Sequence, residues 1–190
     1  FLDLNPSSPD KQIVEITKRR YLQALNIANE LNASYIIFHS QVNPWLKDPR
    51  IVAESNKNQS LFWKDILECL KDHDMDILIE NIFEDVPREL SILMDEINQD
   101  KMNICFDVGH SRLAKNTELQ DWIATLNHRI KYVHLHWNER IYDEHNSPTD
   151  ANLFYFNKIL NKNEVEPMIA LEYHVNNLEE EIKRVRRCFN

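Results

Sequence analysis

Glycine is almost missing from this chain of 190 residues, in which Gly109 stands alone. Its scarcity excludes a glycine-rich phosphate-binding loop, and it leaves the abundant asparagines to fill many of the left-handed turn positions glycine would usually take. Cysteine is sparse too. Cys69, Cys105 and Cys188 are odd in number and show no CxxC spacing, which argues for a reducing compartment rather than secretion and assigns all three a structural part. No apolar run approaches the roughly 18 residues of a membrane span, and the N-terminus lacks the basic-then-apolar order of a signal peptide. Positive charge is outweighed, with Lys+Arg 22 against Asp+Glu 31 and a formal net charge of −9. Such a chain repels a phosphate backbone and presents no basic footprint for nucleic acid, whereas clustered carboxylates suit a cation. The expectation is a soluble, cytoplasmic protein with no membrane contact.

What is present is a sizeable apolar fraction, 43%, enough to bury one core and consistent with a single domain over residues 1–190. After the turn-rich opening Asn5-Pro6-Ser7-Ser8-Pro9-Asp10, with Ser8 as candidate cap and Pro9 in the first turn, Ile13, Ile16, Leu22, Leu25 and Leu31 recur at helical spacing as far as Asn32. Tyr35-Ile36-Ile37-Phe38-His39 reads as a buried strand. A polar loop through Asn43-Pro44 and Asp48-Pro49 leads to a helix from about Val52 to Asp72. The alternation continues with a strand to Glu80, a helix over Val86 to Ile97, and a strand to Asp107. A helix opened by the capping box Thr117-Glu118-Leu119-Gln120 follows. Then come a strand from Ile130 to His136, a helix near Leu153 to Leu160, a strand to Glu172, and a last helix from Leu178 to Phe189. Apolar strands alternating with amphipathic helices predict an α/β fold of βαβ units, with a parallel sheet covered by helices. Five strands are countable, where a closed (β/α)8 TIM barrel has eight.

Four strands end in groups that are costly to bury unless paired or coordinated: Ile77-Leu78-Ile79-Glu80, Ile104-Cys105-Phe106-Asp107, Tyr132-Val133-His134 and Met168-Ile169-Ala170-Leu171-Glu172. Strand C-termini carry the chemistry of parallel barrels, so these four oxygen and nitrogen donors look like a metal site.

The motifs Ile79-Glu80-Asn81, Phe106-Asp107-Val108-Gly109-His110, Val133-His134-Leu135-His136-Trp137-Asn138, Asp143-Glu144-His145 and Leu171-Glu172 resemble those of the xylose isomerase-like TIM barrels. That family includes sugar isomerases, sugar epimerases and metal-dependent apurinic-site endonucleases. The opening Phe1-Leu2-Asp3-Leu4-Asn5-Pro6 is similar to the loop after the third strand of such barrels, which implies a barrel lacking its first three strands here. The resemblance further implies that Glu80, Asp107, His134 and Glu172 hold one divalent cation. Three carboxylates and one imidazole suit Mn²⁺, Mg²⁺ or Co²⁺ better than a structural zinc. By the same resemblance Glu80 and Glu172 are catalytic, passing a proton to and from a sugar or sugar phosphate through an enediolate. His110 and Arg140 match substrate-contacting positions, and His136 shares the strand face of His134 and could line the pocket.

The endonuclease branch uses more ligands and zinc, and His39, His110, Asp143 and His145 match those additional metal positions. A catalytically silent sugar-binding barrel is the third alternative. The glycine-rich stretch usual after the Asp-x-His triplet is replaced here by Asn146-Ser147-Pro148-Thr149-Asp150. Trp45, Trp63, Trp122 and Trp137 are read as packing residues, Trp137 being the one placed to face a substrate. His73, His128 and His174 are read as solvated. An open sheet would leave an edge at the strand ending in His39, for which a homo-oligomer is one cover.

Overall fold

The computed structural model describes residues 4–71 and 73–189. Five parallel strands form one sheet in sequential order, β1 (Tyr35–His39), β2 (Asp76–Glu80), β3 (Met102–Asp107), β4 (Ile130–Leu135) and β5 (Met168–Leu171). Helices α1 (Lys11–Glu30), α2 (Pro49–Glu68), α3 (Pro87–Ile97), a short α4 (Val108–Leu113), α5 (Leu119–Leu126), α6 (Asp150–Lys162) and α7 (Leu178–Phe189) connect and cover them. The result is a half-barrel, the expected α/β fold of TIM-barrel type. Among the described residues no helix is long and apolar enough to cross a membrane.

Strand alternation divides the sheet into two chemically different faces. Ile77, Ile79, Ile104, Phe106, Val133 and Leu135 join the hydrophobic core with the helices, whereas Leu78 and Cys105, also fully buried, lie outside that cluster. Glu80, Asp107 and His134 share the parity of Leu78, Cys105 and Tyr132, so they occupy the concave side. The register between β3 and β4 shifts after Ile104, which pairs with Ile130 while Cys105 pairs with Tyr132. This extra residue turns Tyr132 and His134 inward while Ile130 stays in the core, the re-aiming that bulges beside functional sites provide.

The helices bury one face each. On α1 the buried positions Thr17, Tyr21, Leu25 and Ala28 fall four, four and three residues apart. Tyr21 stacks on Phe38 with ring centroids 4.3 Å apart, and Trp63 of α2 is fully buried nearby against both. Among the described residues asparagine takes three of the seven positive-φ positions, Asn32, Asn98 and Asn127, with Asn98 ending α3 in the left-handed conformation, while Gln41, Arg140, His145 and Glu164 hold the others.

Several boundaries differ from expectation. Asp10, not Ser8, caps α1 by accepting from the Gln12 N–H, which leaves Pro9 outside the helix. α2 begins at Pro49 because Asp48 caps it and proline suits the first turn, and it closes at Glu68. Its expected end at Asp72, and the opening Phe1-Leu2-Asp3, lie outside the described residues. The capping box of α5 is shifted by one residue to Glu118 and Asp121, while the Thr117 hydroxyl donates to the Asp85 carbonyl instead. The short α4 was not expected; the Asp107 side chain caps it. β1 is half-buried along all five residues, as befits a sheet edge. Trp63 and Trp122 are packed at 0% exposure, but Trp45 is 86% exposed, so the packing assigned to it is corrected. It stands in the polar loop after β1, where it lines a groove beside His39. Trp137 lies beneath the Arg112 guanidinium, 4.0 Å from ring centroid to Cζ, rather than open to a ligand.

Candidate metal centre

Parallel register brings the strand ends to one level. His39 pairs with Glu80 across β1 and β2, and Asp107 with His134 across β3 and β4. Glu172 follows β5 directly, its N–H donating to the Leu135 carbonyl at 3.0 Å. Around His134 Nδ1 stand Glu172 Oε2 at 3.1 Å, Glu80 Oε1 at 3.4 Å and Asp107 Oδ2 at 3.8 Å. All four predicted ligands therefore converge. Cys105, one strand position below Asp107 on the same face, adds a thiol to the Glu80–His134 group.

Burial and charge oppose each other here. Burial works to raise the Glu80 carboxyl, but His110 and His134 outweigh it and hold the group at about 2. For His110 burial works downward and Glu80, Asp107 and Asp143 overcome it, raising the imidazole to about 9. His134 is likewise raised despite burial, by Cys105, Glu172 and Glu80. Glu172 is lowered, first by His134. Burial pushes the Cys105 thiol up to about 11. Glu80 and Glu172 are thus both favoured as carboxylates by the imidazole they share, His134.

A second group adjoins the first through His110. Its Nδ1 donates to the Asn81 carbonyl at 3.0 Å, and its Nε2 lies 3.3 Å from Asp143 Oδ2. Asp143 Oδ2 is also 2.9 Å from His145 Nε2, whose Nδ1 donates to the Glu172 carbonyl at 2.8 Å. His136 is fully buried behind Asp107, with Nε2 3.0 and 3.1 Å from its two carboxylate oxygens. His39 Nε2 stands 3.9 Å from Glu80 Oε2 at the edge of the set. Arg140 is turned elsewhere: its guanidinium donates to the Arg112, Ala114 and Thr117 carbonyls and to Glu118. Beside His39 opens a groove of about 790 Å³ whose lining includes Trp45, Phe83, Lys47 and Lys115.

Three supporting residues carried no role in the sequence reading although their letters sat inside its motifs. Asn81, 1% exposed, extends the ladder beyond β2: its Oδ1 accepts from the Asp107 N–H and its Nδ2 donates to the Asp107 carbonyl, both at 2.9 Å. Asn138, fully buried, donates to the Gly109 carbonyl at 2.7 Å. Gly109 is required by space, since a Cβ there would lie 1.9 Å from His136 Cε1. The signal available was an amide directly after a ligand in Glu80-Asn81 and one glycine in an otherwise glycine-free chain.

The donors fit a divalent cation. His134 Nδ1 and Glu172 Oε2 are buried without a hydrogen-bond partner, as are His136 Nδ1 and Asp143 Oδ1. Polar atoms of this kind are rarely left unsatisfied, and groups such as Asp107, His134 and Glu172, with ligand atoms within 4.8 Å of one another, would be satisfied by an ion.

Residues 1–189 match the family model of the xylose isomerase-like TIM barrel, and the chain belongs to that family. An uncharacterised protein of Methanocaldococcus jannaschii is 28% identical over 160 residues, covering 80% of this chain and 54% of that protein. The chain thus spans about half the length of that curated relative. Among solved structures, a D-tagatose 3-epimerase-like protein is 25% identical, with a TM-score of 0.73 over 98% of this chain and 72% of its own. A Thermus thermophilus protein from crystals soaked in zinc chloride is 22% identical, with a TM-score of 0.77 over 98% of this chain and 73% of its own. At that identity the likeness shows the fold.

Proposed function

We propose that this chain bears the metal-binding centre of an isomerase or epimerase acting on a sugar or sugar phosphate. The observation that supports this most directly is the convergence of Glu80, Asp107 and Glu172 on one imidazole nitrogen of His134, within 3.1 to 3.8 Å. The family and the name of the D-tagatose 3-epimerase-like neighbour favour the same reaction class. Glu80, Asp107, His134 and Glu172 would hold one ion, with Mn²⁺, Mg²⁺ or Co²⁺ best suited to three carboxylates and an imidazole. Bound there, it would supply a Lewis acid beside the substrate oxygens.

The two glutamates differ in access, which assigns them complementary parts. Glu172 has 40% of its side chain exposed and is held in the carboxylate form, so it takes the proton from the carbon beside the substrate carbonyl. The C–H electron pair becomes the double bond of an enediolate as the carbonyl π pair moves onto its oxygen. Glu80, 6% exposed on its side chain, manages the return proton from the inner side. Positioned carboxylates of this kind contribute on the order of 10²–10⁴-fold. A second cavity, of about 390 Å³ and lined by His39, Glu80 and His134, gives a small sugar room beside these groups. The test is solvent exchange of the substrate C–H, screened over ketoses and their phosphates at saturating Mn²⁺: Glu172→Gln should abolish exchange, and persistent exchange would remove Glu172 from this part.

A zinc-dependent apurinic-site phosphodiesterase is the second reading, favoured by the His110–Asp143–His145 group. The net charge of −9 weighs against a DNA partner. Elemental analysis after loading with mixed Mn²⁺, Co²⁺, Mg²⁺ and Zn²⁺ separates the two. About one ion per chain supports the isomerase, and two or three retained zinc ions support the phosphodiesterase.

A further inference from the structure

We propose that the substrate of this centre is a sugar bearing a phosphate at the end remote from its carbonyl, and that Lys47 and Lys115 receive that phosphate in the groove beside His39. Two spaces meet there. The cavity of about 390 Å³ reaches Glu80 and His134, and His39 and Gln41 line both it and the groove of about 790 Å³. A ligand whose reacting carbons lie beside Glu80 can therefore extend past these two residues into the groove.

The groove has the chemistry of an anion site in a chain that is otherwise acidic. Beyond His39, its charged lining is Lys47 from the loop after β1, Lys115 from the loop after α4, and Asp85. Lys47 and Asp85 stand 3.9 Å apart with both side chains open to solvent, a weak pairing that a bound anion readily replaces. Lys115 is exposed and forms no ion pair among the described residues. Arginine is the better partner for a planar carboxylate, but the arginines of this region are committed elsewhere. Arg112 is held by the Asn138 carbonyl and the Trp137 ring, and Arg140 by three carbonyls and Glu118. Two ammonium groups suit the compact charge of a phosphate, which in a chain with no glycine-rich loop has to be met by side chains.

The walls around the lysines are fixed. The Asn43 side chain accepts from the Trp45 N–H at 2.9 Å and its carbonyl accepts from the Leu46 N–H at 3.1 Å, a turn that leads Trp45 and Lys47 along the groove. Phe83 is held by the buried Glu84, whose Oε2 accepts from the Ile82 and Phe83 N–H groups at 2.8 and 3.1 Å. Exposed aromatic rings in a groove mark a binding surface, and the carbon chain between carbonyl and phosphate supplies what Trp45 and Phe83 would cover.

The inference rests on the isomerase reading, and the experiment separates the two. Dissociation constants with Mn²⁺ present are measured by calorimetry for D-fructose, D-fructose 6-phosphate, D-ribulose and D-ribulose 5-phosphate, alongside solvent exchange of their C–H. The proteins are the wild type, Lys47→Ala, Lys115→Ala, the double variant, and Lys162→Ala as a charge-matched control outside the groove. Thermal melts report their folding. We expect at least one phosphorylated ketose to bind roughly tenfold or more tightly than its parent, and each single variant to lose about three- to tenfold of that affinity. The double variant should bind phosphorylated and parent ketose alike, and Lys162→Ala should match the wild type. A wild type without preference for the phosphate, or a preference that survives the double variant, would overturn the inference, as would tighter binding of an abasic-site DNA duplex than of any ketose phosphate. Exchange on the parent ketoses with no such preference overturns this inference and leaves the isomerase reading. A lysine-dependent preference with no exchange on any ketose supports the phosphate site and overturns the isomerase reading.

Discussion

Replacing Asn81 by alanine isolates the least conspicuous support of the centre. The Asn81 amide makes two hydrogen bonds of 2.9 Å to the backbone N–H and carbonyl of Asp107, in a place where Asn81 is 1% exposed and Asp107 0%. Alanine leaves both backbone groups without a partner. Each buried unsatisfied group costs about 1–3 kcal/mol, so the pair should cost roughly 2–6 kcal/mol. Against a typical total stability of roughly 5–15 kcal/mol this is a large fraction. Urea unfolding of the metal-free protein reads the loss as a lowered midpoint with an unchanged slope. Because Asp107 loses its backbone anchor, Mn²⁺ affinity should fall as well. A loss below about 0.5 kcal/mol, the range of neutral surface substitutions, would refute the view that this amide completes the ladder.

Other outcomes follow from the same geometry. Manganese at a hundredfold its dissociation constant should add about 2.7 kcal/mol to the unfolding free energy, read as an upward melt shift that a chelator reverses; an unmoved melt would count against the centre. Trp63→Ala, at a fully buried site among Tyr21, Phe38 and Phe62, should cost about 3–5 kcal/mol in denaturant. Arg184 holds the Glu181 carboxyl down at about 2, below its ordinary 4.5, so the stabilisation is complete above pH 4.5 and lost as pH falls toward 2. Glu181→Gln should flatten that acid loss by about 1 kcal/mol or less, since the pair is partly open to solvent; an acid profile parallel to wild type would refute it. Gly109→Ala forces a methyl against the His136 ring and should cost about 1–3 kcal/mol by thermal melt.

Element types were legible because apolar strands and amphipathic helices have different periods, and the strand ends were legible because Glu80, Asp107, His134 and Glu172 each break an apolar run. The bulge between β3 and β4 left no mark in the sequence: Ile130-Lys131-Tyr132 reads as plain alternation, and only pairing with β3 shows the added residue. Helix starts slipped where two residues could cap, as at Ser8 and Asp10, because the choice depends on which side chain reaches a free N–H. Chain neighbours could not reveal that His136 points behind Asp107, or that Arg140 is taken up by the carbonyls of residues 112, 114 and 117. Those contacts span more than twenty residues of sequence.

The two-faced strands imply that mutation acts on this molecule with a period of two. Along β3, changes at Ile104 and Phe106 should register in melting curves and leave ion uptake alone, while changes at Cys105 and Asp107 should lower ion retention as well. A saturation scan scored separately for abundance and for ion retention would draw two interleaved combs on one strand. Chemistry on the concave side can then drift over generations while the core behind it stays unchanged.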